Sequence, residues 1–474
     1  MTGALTIARD ELRYWMRSRL AVSVLAVGLL LTLVSVVLTG ARMADAAHER
    51  QHLQDEARET FLAQPDRHPH RMVHYGHYVF RAPPPLSAID PGVDAFTGTS
   101  IFLEGHRQNT AMFAERRQSA GLAAFGDLTP AFALQTLAPL LIILVGFASV
   151  AREREARTLD LLTAQGVPML TIVAGKALAL AAAAGLTLTP LAIGAFMAGE
   201  GFAVTTLFVA GYALYLAVWA VATVLVSAIV TQPNAGLACL LGVWGAIVVL
   251  SPRIASSTAA SVVDAPGKIE TDFAMHAAMK AVGDGHNAAD PAFEKLKANL
   301  LAQYNVDKVE DLPINFRGVV AGEAEAKLTD VMNEFAERRM TTEMTQANVA
   351  KGFAVVSPLL AVRDLSTKLA GVDLETHHRF LREAERVRFD FVQGLNKVHA
   401  EGLSFADDVR RSSDPAAEKR TRVSAENWRA LEDFRFKPAS ANARISRAMG
   451  PLAILVLWVG LLVGACVVVG RRAA

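Results

Sequence analysis

A short charged stretch between two long apolar runs limits what this chain can fold into more than any other feature. Residues Ala151 to Lys176 read AREREARTLDLLTAQGVPMLTIVAGK, and they separate the apolar runs Thr129 to Val150 and Ala177 to Ala198. A helix needs roughly 20 residues to cross the hydrocarbon core of a bilayer, so each run is long enough to span and the charged stretch is the turn between them. Arg152, Arg154, Arg157 and Lys176 sit at the membrane ends, and clustered Arg and Lys mark the cytoplasmic side. Within the turn, Leu159 and Leu162 share one helical face, opposite Glu153, Arg154, Glu155 and Arg157. Gly166 suits a helix stop, and Pro168 suits the first turn of the next helix. The pattern predicts one amphipathic helix, Arg152 to Leu162, on which a soluble protein pushes.

Composition sets the rest of the frame. With 474 residues, 52% hydrophobic and 20% charged, the chain is too apolar for an ordinary soluble protein and too charged to lie wholly in a membrane. A net charge of +1 gives no basis for nucleic-acid binding. The two cysteines, Cys239 and Cys466, both lie in apolar runs and cannot staple the polar regions. Polar content in the spans is confined to Gln135, scattered Ser and Thr, and Glu200 at an outer turn. Carriers driven by protons or sodium place ionisable groups or broken helices at mid-membrane, so the energy source here is expected on another subunit. No catalytic motif is present. Gly175-Lys176 comes nearest to a phosphate loop, but Ala177 follows the Lys and Leu170 stands where the first Gly is needed.

Taken in order, residues 1–42 hold a basic amphipathic stretch and a first span, Leu20 to Ala41. In that stretch Leu12, Trp15 and Met16 can share a face, with Arg9, Arg13 and Arg17 on the others, as in a helix lying at headgroup level. The bland alternative is a basic flank that only sets orientation. The span is too long for the h-region of a signal peptide. Residues 43–128 are expected outside, with a polar helical run at Arg42–Arg58 and a strand at His77–Arg81. Residues 129–252 hold spans two to five around the loop 151–176, and Pro139 is a candidate kink. Residues 253–446 form a second external insertion, and residues 447–474 hold the last span with Arg471 and Arg472 at its cytoplasmic end. Arg444 and Arg447 count against this topology, although long polar loops translocate largely regardless of charge. In the second insertion Phe380, Leu381, Ala384, Val387, Phe391, Leu395 and Val398 recur at helical spacing. Residues 354–371 are apolar but carry Arg363, Asp364 and Lys368, too much charge for a span. Between the outer leaflet and the core of the external domain, the second is the expected place for them.

Seven of the 12 histidines fall in residues 48–106, with His68, His70, His74 and His77 closest together. Imidazole is a common metal ligand, but this spacing fits no standard site, and Tyr75 and Tyr78 point to a packed structural turn. These four are therefore metal candidates only, with structure the expected role.

The central loop resembles the coupling segment of ABC type-2 exporter permeases. Glu153, Glu155, Thr158, Leu159, Leu161, Leu162, Pro168, Gly175 and Lys176 match that pattern. Arg157 stands where the family usually has Gly, and Met169-Leu170 replaces a small-then-basic pair. The resemblance implies that Arg152, Glu153, Arg154, Glu155, Arg157, Thr158, Leu159, Leu162 and Pro168 dock in a cleft of a nucleotide-binding subunit. It also implies an elbow helix carrying Arg9, Arg13, Trp15 and Arg17. Two external stretches, HYGHYVFRAPPPLSAIDPGVDAFTGTSIFLEGHRQN (His74–Asn109) and SPLLAVRDLSTKLAGVDLETHHRFLREAE (Ser357–Glu385), look like a subgroup of these permeases with a large periplasmic domain. That subgroup is similar to the membrane subunit of the nitrous-oxide-reductase maturation transporter.

The expected fold is an all-α polytopic membrane protein with six transmembrane helices and a large, mainly helical extracytoplasmic domain built from two insertions. The resemblance implies a permease subunit in a bacterial inner membrane, and six spans with both termini cytoplasmic is the simplest topology for this distribution of Arg and Lys. Its partners would be a cytoplasmic ATPase dimer holding ATP and Mg, a second permease (identical or sister), the lipid bilayer and a periplasmic protein, with no cofactor on this chain. The competing class is a receptor or scaffold with a ligand-binding external domain, which would need no amphipathic helix at residues 151–176.

Overall fold

The computed structural model describes residues 2–112, 128–430 and 434–472. Residues 113–127 of the first insertion lie outside the described residues. The protein is an all-α polytopic membrane protein, and six of its helices are long and apolar enough to cross a membrane. In chain order these spans are Arg19–Leu62, Pro130–Glu155, Met169–Met197, Phe202–Ile229, Pro233–Val262 and Ala441–Arg471. Spans two, three and four are about half buried and form the centre, while one, five and six turn most of their apolar surface outward.

Span one does not stop at residue 42. It runs unbroken for 44 residues, about 66 Å at 1.5 Å per residue, roughly twice what a bilayer core needs. The expected separate run Arg42–Arg58 is its outer half. No Gly or Pro interrupts Ala41-Arg42-Met43-Ala44-Asp45-Ala46-Ala47, so the helix has no reason to end where its polarity changes. Span five likewise continues as helix past Pro252 to Val262 instead of ending at Ser251. Pro252 follows a π-helical turn, Gly245–Leu250, and Pro139 follows another, Ala133–Leu137. A π turn shifts the local hydrogen-bond partners, so a residue with no N–H can follow it without breaking the helix.

The two insertions share their cores at the end of the bundle opposite residues 151–176. Strand His77–Phe80 pairs antiparallel with Ser100–Leu103, with Val79 opposite Ile101. The hairpin packs on helix Leu374–Gly402, where Val79, Ile101 and Leu103 meet Phe380, Ala384 and Val387. That helix realises the periodicity read from sequence and lies beside Phe316–Gly352. Of residues 354–371, Val355 and Val356 are exposed and the helix that follows them is largely buried, but not in the core of that outer domain. Helix Pro358–Ala370 lies against spans four and six and places Leu359, Val362, Leu365 and Leu369 in the same core as the spans. A Cβ on Gly211 of span four would stand 2.5 Å from Leu365 Cδ2, so the glycine makes the room for this wedge.

Charges at this end are paired. Arg363 donates from Nε to Gln135 Oε1 at 3.1 Å. Gln135 donates to Tyr212 Oη at 2.9 Å, Tyr212 and Ser366 hydroxyls lie 2.9 Å apart, and Ser366 donates to Asp90 at 2.5 Å. Arg444 pairs with Glu200 and donates to the Leu369 carbonyl at 3.0 Å. Arg447 reaches Asp373 at 3.0 Å and Glu375 at 2.8 Å. The two arginines that complicate the topology in sequence are thus neutralised by acids from other elements.

Glu200 and Arg444 are both nearly inaccessible to solvent, and removing one partner of a buried pair costs on the order of 3–5 kcal/mol. Arg444→Ala is therefore expected to lower the thermal unfolding midpoint in detergent clearly. The double replacement Glu200→Gln with Arg444→Met should lose much less, because no charge is left stranded. Equal midpoints for the two variants would contradict the pairing.

Candidate coupling site and histidine clusters

Residues 151–164 form two short helices, Ala151–Glu155 and Thr158–Ala164, instead of the single expected helix Arg152–Leu162. Arg157 breaks it, with φ of 59° in the left-handed region. That region costs a residue with a Cβ roughly 1–2 kcal/mol. This is the position at which the resembling permeases carry Gly. Thr158 restarts the chain, donating from its hydroxyl to the Glu153 carbonyl at 3.1 Å. Helix two ends before Gly166, whose φ is +80°, and Pro168 is the residue just before span three.

The break rotates the apolar edge. Leu159 is buried and Leu162 partly buried against this chain's own core, so the predicted docking pair faces the spans. Leu161, 63% exposed, is the outward apolar side chain, with Glu155, Arg157 and Asp160 exposed around it.

The N-terminal helix Thr2–Arg17 turns Ala8, Glu11 and Trp15 inward and leaves Arg9, Arg13, Met16 and Arg17 exposed. Trp15 is therefore a core residue and not a headgroup anchor, because the spacing 8, 11, 15 and not 12, 15, 16 marks the packed face. A Cβ on Gly175 would lie 2.7 Å from the Ala4 carbonyl oxygen, so Gly175 lets this helix lie directly on span three. Glu11 is 1% exposed. It accepts from Lys176 Nζ at 2.5 Å and pairs with Arg152, and Lys176 also meets Glu153 at 2.8 Å. Arg152 stacks over Tyr14, 3.6 Å from the ring centre. Arg154 donates to the carbonyls of Ala228 at 2.7 Å and Val230 at 2.9 Å, closing the end of span four. The Ser227 hydroxyl accepts from the Val150 and Ala151 amides at 3.0 and 3.2 Å. The segment is thus fastened to the N-terminal helix and to the ends of spans three and four. Sequence reasoning passed over Glu11, although an acid on the inward face of an amphipathic helix is a signal that a basic partner is near.

The four sequence-nominated histidines separate. His68 Nε2 lies 3.2 Å and His399 Nε2 2.8 Å from the carboxylate of Asp408, all three buried. Burial works to raise Asp408, but hydrogen bonds from His399 and His68 outweigh it and hold the carboxyl well below its ordinary range. His77 packs in the hairpin with its ring 5.2 Å from Phe61. His70 and His74 meet His106 and His286, two residues that local spacing could not connect to them. His48 and His52 are exposed on the outer half of span one.

Two outcomes follow from these environments. Arg157→Gly should raise the thermal midpoint or leave it unchanged, because the glycine relieves the left-handed backbone, whereas Arg157→Val should lower it. His377, on helix Leu374–Gly402, is pushed down to about 4, by burial first and then by Arg81 and His378. The folded chain refuses a proton that the unfolded chain takes up below 6.5, so this contribution is full above that pH and is lost as pH falls toward 4. The Asp408 shift has the same sign at lower pH. The thermal midpoint should drop by several degrees between about pH 7.5 and about pH 5, and His377→Phe should reduce that drop.

The family described as ABC-2 family transporter protein matches residues 5–270, more than half of the chain, and includes the N-terminal helix, the fastened loop and spans one to five. A domain of unknown function, DUF3526, matches residues 268–437. No curated protein matches the chain. The polytopic helical fold and the extent of the match agree: the chain belongs to the ABC-2 family of transporter proteins, with a DUF3526 domain as its second insertion.

Proposed function

We propose that this protein is the permease subunit of an ATP-driven exporter or extrusion machine, worked by a separate ATPase dimer that holds ATP and Mg. The observation that carries the reading is the clamp centred on Glu11. Arg152, Arg154 and Lys176 tie the loop to the N-terminal helix and to spans three and four, while Leu161 and its charged neighbours face outward. A soluble partner that displaces residues 151–164 moves three spans and the N-terminal helix as a body. The wedge Pro358–Ala370 and the Arg444–Glu200 pair carry that displacement to the outer domain. Arg9, Arg13, Arg17, Arg152, Arg154 and Arg471 gather at the loop end, which supports a cytoplasmic loop, cytoplasmic termini and a periplasmic outer domain in a bacterial inner membrane. The outward apolar faces of spans one and five suit a second permease, identical or sister. A groove of about 1000 Å³ between the outer half of span one and the hairpin, edged by Glu49, Arg50 and Tyr78, offers a place for cargo or a periplasmic protein.

Docking of Leu161 in a partner pocket should contribute about 1.5–3 kcal/mol. Leu161→Asp is expected to weaken co-purification with the cognate ATPase by about tenfold or more and to abolish stimulated turnover, at an unchanged thermal midpoint. Leu159→Ala should instead lower the midpoint. Wild-type ATPase binding and turnover in Leu161→Asp would remove this loop from the coupling path.

A further inference from the structure

Four imidazoles from three separate stretches converge on one point in the outer domain. His70 and His74 stand one helical turn apart, at and just beyond helix Pro69–Val73, His106 follows strand Ser100–Leu103, and His286 comes from the second insertion. One donor nitrogen from each lies within 4.8 Å of the other three. All six pairs of rings have centroids 4.8 to 5.8 Å apart. Four imidazoles around a tetrahedral ion with metal–nitrogen bonds of about 2.0–2.1 Å would have centroids about 5.2 Å apart and ligand nitrogens about 3.3 Å apart. The Nε2 atoms of His70 and His74 are 3.2 Å apart.

The surroundings are arranged as a ligand shell needs. His106 Nδ1 lies 2.7 Å from Oε2 of the buried Glu325, which is itself held by Arg388. His286 Nδ1 lies 3.2 Å from Oδ1 of Asp284. A carboxylate on Nδ1 fixes the tautomer and leaves Nε2 with its lone pair for a metal. His106 Nε2 is buried and unpartnered. The backbone is forced to bring these rings in. His106 has φ of 61°, and a Cβ on Gly105 would lie 2.1 Å from Val73 Cγ1. A Cβ on Gly285 would lie 2.5 Å from Ala324 Cβ. A glycine seated by close approach thus precedes each of these two converging histidines, and one of the two has a left-handed backbone. The cluster His68–His399–Asp408 differs, because the Nε2 atoms of both histidines already meet Asp408 and His68 Nδ1 accepts from the His70 amide.

We propose that His70, His74, His106 and His286 form a binding site for one divalent transition-metal ion, of the zinc or copper class, that links the two insertions. Four neutral nitrogen donors and no oxygen among them favour such ions over magnesium or calcium. His74 and His286 are exposed, so the ion can enter and leave from solvent. The ion crosslinks residues 70–106 to residue 286 and sits far from the loop that the ATPase reading uses, so the two proposals stand or fall separately.

The test uses full-length protein in detergent, purified without a histidine tag, stripped with EDTA and equilibrated with Zn²⁺, with metal content measured per chain. Co²⁺ serves as an optical probe of tetrahedral nitrogen ligation. One ion per chain is expected in the wild type, with a higher thermal midpoint and a tetrahedral Co²⁺ spectrum. The exposed ligands allow variants that keep the fold: His74→Ala and His286→Ala should each weaken binding by tenfold or more, with metal-free midpoints close to wild type. His48→Ala with His52→Ala should change nothing. Absence of stoichiometric metal in folded wild-type protein overturns the proposal, and so does an ion retained in both His74→Ala and His286→Ala.

Discussion

A single buried carboxylate holds one end of this molecule together. Glu11 enters an otherwise apolar interface because the buried Lys176 and the half-buried Arg152 meet it there. Removing one member of such a cluster strands the others in low dielectric, at a cost of several kcal/mol. The same contact fixes the N-terminal helix, and Gly175 beside Lys176 gives the helix backbone its seat. Two adjacent residues, Gly175 and Lys176, thus set both the distance and the register between the N-terminal helix and span three.

The opposite end obeys the same rule with different residues. The wedge helix brings Arg363, Ser366 and Asp364 to the rim of an apolar bundle, and each finds a partner from another element, Gln135, Asp90 and Lys351 in turn. Asp90 and Ser366 lie 276 residues apart in sequence and still share a hydrogen bond. The Val93 amide donates to the Val372 carbonyl at 3.0 Å, so the stretches His74–Asn109 and Ser357–Glu385 pack on each other. The outer domain is therefore fastened to spans two, four and six by paired polar groups and cannot hang loosely from its linkers. Displacement at the loop end has a continuous packed route to it, and that continuity is a spatial argument for transmission.

Backbone strain falls where function is proposed. Among the described residues, three other than glycine have positive φ: His106, Arg157 and Asn305. Asn tolerates that region readily and ends a helix here, which needs no further account. His106 has only the mild tendency that histidines share, and Arg157 has none. One is turned so that its ring joins three others, and the other divides the charged loop so that Leu159 faces in and Leu161 faces out.

The sequence by itself determined the six spans, the charged loop between two of them, the helical periodicity of residues 380–398 and the strand at His77. Each of these rests on a local pattern, whether a run of apolar residues, a period of 3.6 or a cluster of like charges. Tertiary structure alone decided the unbroken outer half of span one, the burial of Trp15, the division at Arg157 and the seat of residues 358–370 within the bundle. Those outcomes depend on which face finds a partner, and a one-dimensional period marks a face without saying what covers it. The histidines make the limit plain. His68, His70, His74 and His77 are neighbours in sequence, but only His70 and His74 share a helical face, and the residues completing their cluster lie at 106 and 286. No local spacing connects positions 74 and 286; the packing of one insertion on the other does.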